Sequence, residues 1–251
     1  MTGSGRVCVV TGAARGIGRA VAEGLGARGD RVAVVDVLDT SDAVAAVTES
    51  GGVAAGFEVD VGDEAAVRSL HERVREQLGP CEILINNAAR LHRADVAELD
   101  YATFADVLRT NLHGPFLTTT VFLPDMVERR WGRIVNVASS SLLTSTPGLT
   151  AYMASKGGVL GMTSAVANDV GRHGITVNAV SPGLTRTPGV DADVRAGRLA
   201  PEAFDDVLAA QAIPRAGTAN DVVGAVMFLT SDDASFMTGQ FVVVDGGMTR
   251  H

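Results

Sequence analysis

The stretch TGAARGIG, residues 11–18, decides the fold that this sequence predicts. It follows a short apolar run, RVCVVT, and leads into a helix-like stretch, Ile17–Arg28. Its glycines, Gly12, Gly16 and Gly18, would let the backbone turn tightly, approach a diphosphate and seat the helix on the sheet. The first turn of such a helix presents free N–H groups to an anion. The spacing is G-x-x-x-G-x-G rather than the commonest fingerprint, G-x-G-x-x-G, but the strand–turn–helix context still predicts a dinucleotide site.

Short apolar runs alternate with longer helix-like stretches along the rest of the chain. The seven predicted strands are residues 6–11, 31–36, 53–60, 82–87, 133–139, 175–181 and 240–245. The predicted helices include residues 17–28, 64–78, 104–127 and 152–171. Strands that are apolar throughout are typical of a parallel sheet with helices on both faces. We therefore predict one α/β domain over residues 1–251, a Rossmann-like doubly wound parallel sheet of seven strands in the order 3-2-1-4-5-6-7.

One long segment, residues 185–213, contains no predicted strand. Segments of this length without a strand often cover the active site of a compact enzyme. We expect this segment to form a mobile lobe that binds substrate.

Asp36 ends the second predicted strand, about 20 residues beyond the glycine-rich loop. A carboxylate at this place accepts hydrogen bonds from the 2′-hydroxyl of an adenosine ribose and repels a 2′-phosphate. Arg15 is the counter-argument, because a guanidinium in the loop could reach a 2′-phosphate. With Asp36 nearby we read Arg15 as a solvated loop residue, so the sequence favours NAD over NADP.

Lys156 is the only lysine of the chain, in which the other 20 of the 21 basic residues are arginines. It lies four residues after Tyr152, one of two tyrosines, so a helix would place both side chains on one face. A free tyrosine titrates near 10, and a neighbouring ammonium would lower the pKa of the phenol toward neutrality. Such a phenol can exchange a proton with a carbonyl or alcohol oxygen. An ammonium on a flexible stem can also donate to ribose hydroxyls.

With these motifs the chain resembles the short-chain dehydrogenase/reductase (SDR) family over essentially its whole length. The motifs that carry the resemblance are TGAARGIG, NNAA (86–89), Asn111, Ser139, YMASK (152–156) and PGLTRT (182–187). The resemblance implies that Tyr152 is the general acid/base, and that Lys156 binds the nicotinamide ribose and lowers the pKa of the tyrosine. It also implies that Ser139 polarises the substrate oxygen and that Asn111 holds a water in a proton relay.

The resemblance further implies a set of cofactor contacts. Asp60 and Val61 would bracket the adenine, Asn87 and Ala88 would line the ribose, and Thr187 would touch the carboxamide. The full expected set is Gly12, Arg15, Gly16, Ile17, Gly18, Asp36, Asp60, Val61, Asn87, Ala88, Tyr152, Lys156, Pro182, Gly183 and Thr187. The C-terminal stretch is similar to that of NAD-dependent members that act on aryl alcohols, such as 1-phenylethanol dehydrogenase, and on pyridoxal. In this family the last strand commonly packs across a two-fold axis, so we expect a homotetramer.

Composition excludes several other classes of protein. The net charge of −8 argues against a nucleic-acid partner. No apolar run reaches the length of a membrane span, and the start shows no secretion signal, so we expect a soluble, cytoplasmic protein. Cys8 and Cys81 each lie beside apolar runs and read as buried hydrophobic residues. No metal site is expected, because His71, His92, His113, His173 and His251 show no paired ligand spacing.

The sequence therefore predicts an NAD-dependent oxidoreductase that interconverts a hydrophobic secondary alcohol and its ketone. The residues expected to line an apolar substrate pocket are Ser139, Leu142, Leu143, Leu149, Met153 and Leu184, with Phe204 and Val207 from the lobe. His92 is a further candidate. The main alternative is an NADPH-dependent 3-oxoacyl-(acyl-carrier-protein) reductase, with Arg129, Arg130 and Arg172 as a docking face. A remote alternative is a non-catalytic nucleotide sensor, which would typically lack the tyrosine or the lysine.

Overall fold

A computed structural model describes residues 5–200 and 202–249. Their main feature is a parallel sheet of seven strands in the order β3-β2-β1-β4-β5-β6-β9. Its strands are β1 (Val7–Thr11), β2 (Arg31–Asp36), β3 (Val53–Glu58), β4 (Ile83–Asn86), β5 (Gly132–Val137), β6 (Ile175–Pro182) and β9 (Phe241–Val244). The seventh strand of the sheet is β9 because two short strands precede it in the chain. The predicted fold, strand number and strand order are confirmed.

Helices cover both faces of the sheet, as apolar strands require. In β1, Cys8 and Val10 face one core, and Val7 and Val9 face the other. The first core is closed by α1 (Gly16–Ala27), α2 (Ser41–Glu49) and α10 (Ala219–Leu229). The second is closed by α3 (Glu64–Gln77), α5 (Gly114–Arg129) and α7 (Thr150–Val170). Both cysteines are fully buried, as predicted, and burial raises the pKa of each thiol.

The predicted long helix over residues 104–127 is interrupted. The structure has α4 (Tyr101–Leu108), a π-helical turn (Arg109–His113) and then α5. A π turn widens the helix by one residue and is frequent at functional sites. Hydrophobic periodicity cannot locate such a turn, because the apolar face continues on both sides of it.

The lobe over residues 185–213 contains α8 (Pro188–Arg195) and α9 (Ala203–Ala210). It also contains a strand that we did not predict, β7 (Thr185–Arg186), which pairs with β8 (Gly217–Thr218). A two-residue strand is too short to produce a readable pattern. A further short helix, α6 (Ser141–Thr144), lies between β5 and α7. Among the described residues, no helix combines the length and apolar character needed to cross a bilayer.

Candidate active site

The glycine-rich loop lies at the carboxyl end of β1, where α1 begins. Gly12 and Gly16 have positive φ angles of 64° and 62°, which L side chains rarely adopt. A Cβ on Gly18 would lie 2.2 Å from the Gly12 carbonyl oxygen, so only glycine lets the helix approach the loop this closely. The first turn of α1 has no acidic residue and no side-chain cap, which leaves its N–H groups available to an anion. These features fit a dinucleotide phosphate.

A cavity of about 480 Å³ opens beside this loop. The expected cofactor residues that line it are Gly12, Arg15, Gly16, Ile17, Asp36, Asp60, Val61, Asn87, Ala88 and Thr187. Gly18, which was also expected to contact the cofactor, does not line this cavity, because it is buried beneath the loop. The walls of this cavity come from parts of the chain that are distant in sequence. The Asn87 amide joins two of these parts, because it donates a hydrogen bond of 2.9 Å to the Gly12 carbonyl oxygen.

Asp36 is 9% exposed, and its carboxylate accepts hydrogen bonds from the backbone N–H groups of Ala14 (3.0 Å) and Leu38 (3.1 Å). It is therefore held in place with acceptor capacity left for a ligand. Arg15 is exposed and lines the same cavity.

Asp60 is tied to Arg109 by an ion pair of 2.8 Å. Burial acts to raise its pKa, but hydrogen bonds from the Gly62 N–H and Arg109 outweigh burial and lower the pKa below the ordinary value. The carboxylate is thus fixed at the cavity rim in its charged form.

A second cavity, of about 520 Å³, adjoins the first and shares four wall residues with it, Ile17, Asn87, Ala89 and Thr187. Ser139, Tyr152 and Lys156 all line this second cavity, as do Pro182 and Gly183. Ser139 lies just beyond β5, whereas Tyr152 and Lys156 lie on the first turns of α7. The structure therefore brings the predicted serine, tyrosine and lysine together at the carboxyl edge of the sheet.

The Lys156 side chain is 2% exposed, and its ammonium donates to the Val137 carbonyl oxygen at 2.5 Å. Burial lowers its pKa to about 8. The ammonium lies 5.7 Å from the centre of the Tyr152 ring.

The pKa of Tyr152 differs from the sequence expectation. Burial raises it above its ordinary value, although the Ser139 hydroxyl and the charge of Arg93 both act to lower it. The lysine is directed to a backbone carbonyl rather than to the phenol, so loss of solvent dominates over the neighbouring charge.

Asn111 lies in the π-helical turn and is fully buried. Its side-chain oxygen accepts from the Arg90 N–H at 2.7 Å, and its amide donates to the Arg90 carbonyl (2.9 Å) and to Ser155 Oγ (3.1 Å). The side chain therefore anchors the loop segment that follows NNAA. Any part in a proton relay remains a prediction.

The substrate-pocket prediction is only partly correct. Ser139, Leu149, Leu184 and Val207 line the second cavity. Four predicted residues do not line it: Leu142, Leu143, Met153 and Phe204. Leu142 lies near Gly157 on α7, and Met153 is one position from Tyr152 and so points to another side of the helix.

Phe204 is 4% exposed beneath the Arg186 guanidinium, which lies 4.2 Å from its ring centre. Leu143 is exposed. His92 is also exposed and lines neither cavity.

The cavity is less apolar than predicted. Polar and charged wall residues that were not predicted are Arg93, Ser140, Ser141, Thr144, Thr146, Thr185, Asp193 and Arg198. Arg93 could have been anticipated from its place just after NNAA, at the carboxyl edge of the sheet. The others come from α6, the residues that flank it and the lobe, whose positions depend on tertiary packing. Among residues 5–200 and 202–249, no cluster of three or more metal-ligating side chains occurs, and His251 lies outside these residues.

The predicted docking face consists of Arg129, Arg130 and Arg172. These three arginines lie at the other end of the molecule from this site. Arg129 and Arg130 precede β5, and Arg172 follows the last residue of α7. Tyr152 and Arg172 are 20 positions apart, or about 30 Å along a helix. A partner docked on these arginines would therefore approach the edge of the sheet opposite the cavities.

Comparisons with known proteins show which proteins this chain is similar to. A family model described as "Enoyl-(Acyl carrier protein) reductase" matches residues 12–249. The 3-oxoacyl-(acyl-carrier-protein) reductase of Escherichia coli is 34% identical over 252 residues, which cover 99% of each chain. The 2-(S)-hydroxypropyl-CoM dehydrogenase 3 of Xanthobacter autotrophicus is 36% identical over 245 residues, which cover 97% of this chain and 96% of that protein.

Solved structures agree. A 3-oxoacyl (acyl-carrier-protein) reductase from Agrobacterium tumefaciens C58 with NADP bound superposes with a TM-score of 0.88 at 35% identity, covering 97% of this chain and 94% of that one. Levodione reductase superposes with a TM-score of 0.89 at 31% identity, covering 96% of both chains. The chain belongs to the short-chain dehydrogenase/reductase family of nicotinamide-dependent oxidoreductases, which act on CH–OH donors.

Proposed function

We propose that this enzyme interconverts a hydrophobic secondary alcohol and its ketone with NAD(H). The observation that carries the proposal is the junction of the two cavities. The second cavity is lined by Ser139, Tyr152 and Lys156. It meets the dinucleotide cavity at four shared residues, Ile17, Asn87, Ala89 and Thr187. A substrate oxygen beside the serine and the tyrosine would then lie next to the bound nicotinamide.

The proposed mechanism assigns one proton to Tyr152. In ketone reduction, the phenol donates its proton to the substrate oxygen, and in alcohol oxidation the phenolate accepts it. Burial raises the pKa of the phenol and so favours its protonated form, which suits the donor role. The Ser139 hydroxyl donates a hydrogen bond to the same oxygen and so stabilises the charge that develops there. The nicotinamide, when bound, supplies or accepts the hydride.

Lys156 and Asn111 complete the proposed machinery. The ammonium of Lys156, which lines the second cavity, would donate to the ribose hydroxyls. Asn111 would act in proton relay from the π-helical turn. The NAD preference is proposed on Asp36, whose carboxylate is held at the first cavity by two backbone N–H groups. Arg15, which lines the same cavity, is proposed to remain solvated. We also propose a cytoplasmic homotetramer.

A substrate screen with a Tyr152→Phe control tests this proposal. We expect turnover of aryl and alicyclic ketones with NADH, and kcat lower by about 10²- to 10⁴-fold in Tyr152→Phe, since the variant loses only the proton donor. Binding of NADH to the variant, followed by nicotinamide fluorescence, should stay close to wild type. A preference for polyols over hydrophobic alcohols, or a fully active Tyr152→Phe enzyme, would refute the proposal.

A second candidate is an NADPH-dependent 3-oxoacyl-(acyl-carrier-protein) reductase. Its support is the similarity to the Escherichia coli and Agrobacterium tumefaciens reductases of that name. The place of Arg129, Arg130 and Arg172, far from the cavities, gives no docking face beside the site. Assay of an acyl-carrier thioester with NADPH in parallel with the ketone screen distinguishes the two candidates.

A further inference from the structure

The wall of the second cavity, which is the proposed substrate site, carries more positive than negative charge, although the chain has a net charge of −8. The charged side chains that line it are Arg93, Lys156, Asp193 and Arg198. Lys156 is directed to a backbone carbonyl, and Arg198 forms an ion pair of 2.7 Å with Asp193. The partners of Lys156 and Arg198 are thus accounted for among the residues that the structure describes, whereas the partner of the Arg93 guanidinium is not.

Arg93 differs from the arginines around it in its partners. Arg90 pairs with Asp106, and Arg109 pairs with Asp60 and Asp106. The Nε atom of Arg93 is buried and has no hydrogen-bond partner among residues 5–200 and 202–249. A buried donor without a partner costs free energy unless a ligand satisfies it. The unpaired donor thus points to a missing acceptor.

The position of Arg93 is fixed beside the reacting groups. Its neighbour Ala94 donates through its N–H to the Gly148 carbonyl oxygen at 3.0 Å, which ties this segment to the loop before α7. Leu149, the next residue of that loop, is 4% exposed and lines the same cavity as Arg93. The Arg93 charge is close enough to Tyr152 to act on the pKa of the phenol. The guanidinium is therefore held at the same cavity as the proposed proton donor.

We propose that Arg93 binds a carboxylate of the substrate, so that the enzyme acts on a hydrophobic keto acid or hydroxy acid. The inference rests on the proposed function and narrows it. A guanidinium presents a planar fork of donors that matches a carboxylate, and it stays charged at any working pH. The carboxylate would satisfy the buried Nε atom, and the apolar wall at Leu149 and Leu184 would contact the hydrocarbon part.

A series of matched ketones tests this proposal. The probes are phenyl ketones that carry a carboxylate one to three methylenes from the carbonyl, each paired with its neutral amide. We expect kcat/KM for the best acid to exceed that of its amide by about tenfold to hundredfold in wild type, the range of a charge-assisted hydrogen bond. The ratio should fall close to one in Arg93→Gln and be partly kept in Arg93→Lys. Arg195→Gln removes an exposed charge of α8 that lines neither cavity and should leave the ratio unchanged.

Equilibrium binding separates this inference from the proposed function. The same acids and amides are titrated into the NADH complex of Tyr152→Phe, with and without Arg93→Gln, and followed by nicotinamide fluorescence, because the wild-type complex would oxidise its NADH. Turnover is measured separately with the wild-type enzyme. If the ketones bind without turnover, the proposed reaction fails, yet an acid preference lost in Arg93→Gln still supports the carboxylate site. If acid and amide behave alike in wild type, or if the preference persists in Arg93→Gln, the inference is wrong.

Discussion

At the scale of one residue, Lys156 combines rarity in the sequence with burial in the structure. A chain that uses arginine at 20 positions keeps a single lysine, and the structure buries it to 2% exposure. Its ammonium has one carbonyl partner and lies in the wall of a cavity. Burying a charge so sparsely paired costs stability, which is characteristic of functional sites.

The lowered pKa of Lys156 predicts how stability changes with pH. The folded chain releases this proton near pH 8, whereas the unfolded chain holds it until about pH 10.5. Between these values the unfolded state binds more protons, so the free energy of unfolding contributed by Lys156 rises with pH. The rise approaches about 3 kcal/mol over the window.

Comparison with Lys156→Met isolates this contribution, because Tyr152 and the cysteines titrate in both proteins. Urea denaturation of the cofactor-free proteins at pH 7 and pH 10.5 should show the wild type gaining on the variant by up to about 3 kcal/mol. A stability difference that is the same at both pH values would show that the buried amine is not held at a lowered pKa.

The loop and α1 show how one element depends on the absence of a side chain. Gly18 is a helical glycine whose added Cβ would meet the Gly12 carbonyl oxygen at 2.2 Å and the Asn87 amide at 2.5 Å. Gly161, in α7, is also a helical glycine, but a Cβ there meets nothing within 4 Å. The two positions form a matched pair with opposite expectations.

Gly18→Ala should destabilise the protein by about 1–3 kcal/mol, because the loop must shift to accept the methyl group. The same shift should weaken NADH binding. Gly161→Ala should stabilise by about 0.5–1 kcal/mol, because alanine favours a helix, and should leave NADH binding unchanged. Denaturant midpoints and NADH titrations measure both effects. Equal behaviour of the two variants would contradict the close approach of α1 to the loop.

At this scale the sequence predicts what local patterns encode. Runs of apolar residues located all seven strands of the main sheet, and Tyr152 and Lys156 share α7 as their spacing predicted. The π-helical turn at Asn111 and the short strand β7 escaped prediction. Both depend on hydrogen bonds to residues distant in sequence or on a break in regular geometry, which periodicity does not record.

At the scale of the whole molecule, function depends on where separate elements meet. The sequence predicted that one site would contain Ser139, Tyr152 and Lys156, because each residue belongs to a motif that is recognisable without the structure. Much of the remaining cavity wall could not be predicted, since Thr144 and Arg198 come from two segments whose packing alone brings them together. Leu142 and Met153, which were expected in the substrate pocket, lie outside the second cavity for the same reason.

In the proposed function, the first of the two adjoining cavities holds the cofactor and the second holds the substrate. Asp36 lies on the first, and Tyr152 lies on the second. The claim that joins them is that the enzyme uses NAD(H), because the carboxylate of Asp36 would repel the 2′-phosphate of NADP.

The most direct test is a titration of the wild-type enzyme with NADH and with NADPH, followed by nicotinamide fluorescence, because it requires no substrate. We predict that NADH binds more tightly, which would direct the substrate screen to hydrophobic ketones and keto acids. Tighter binding of NADPH would show that Arg15 outweighs Asp36 and would contradict the account, as would the binding of neither nucleotide.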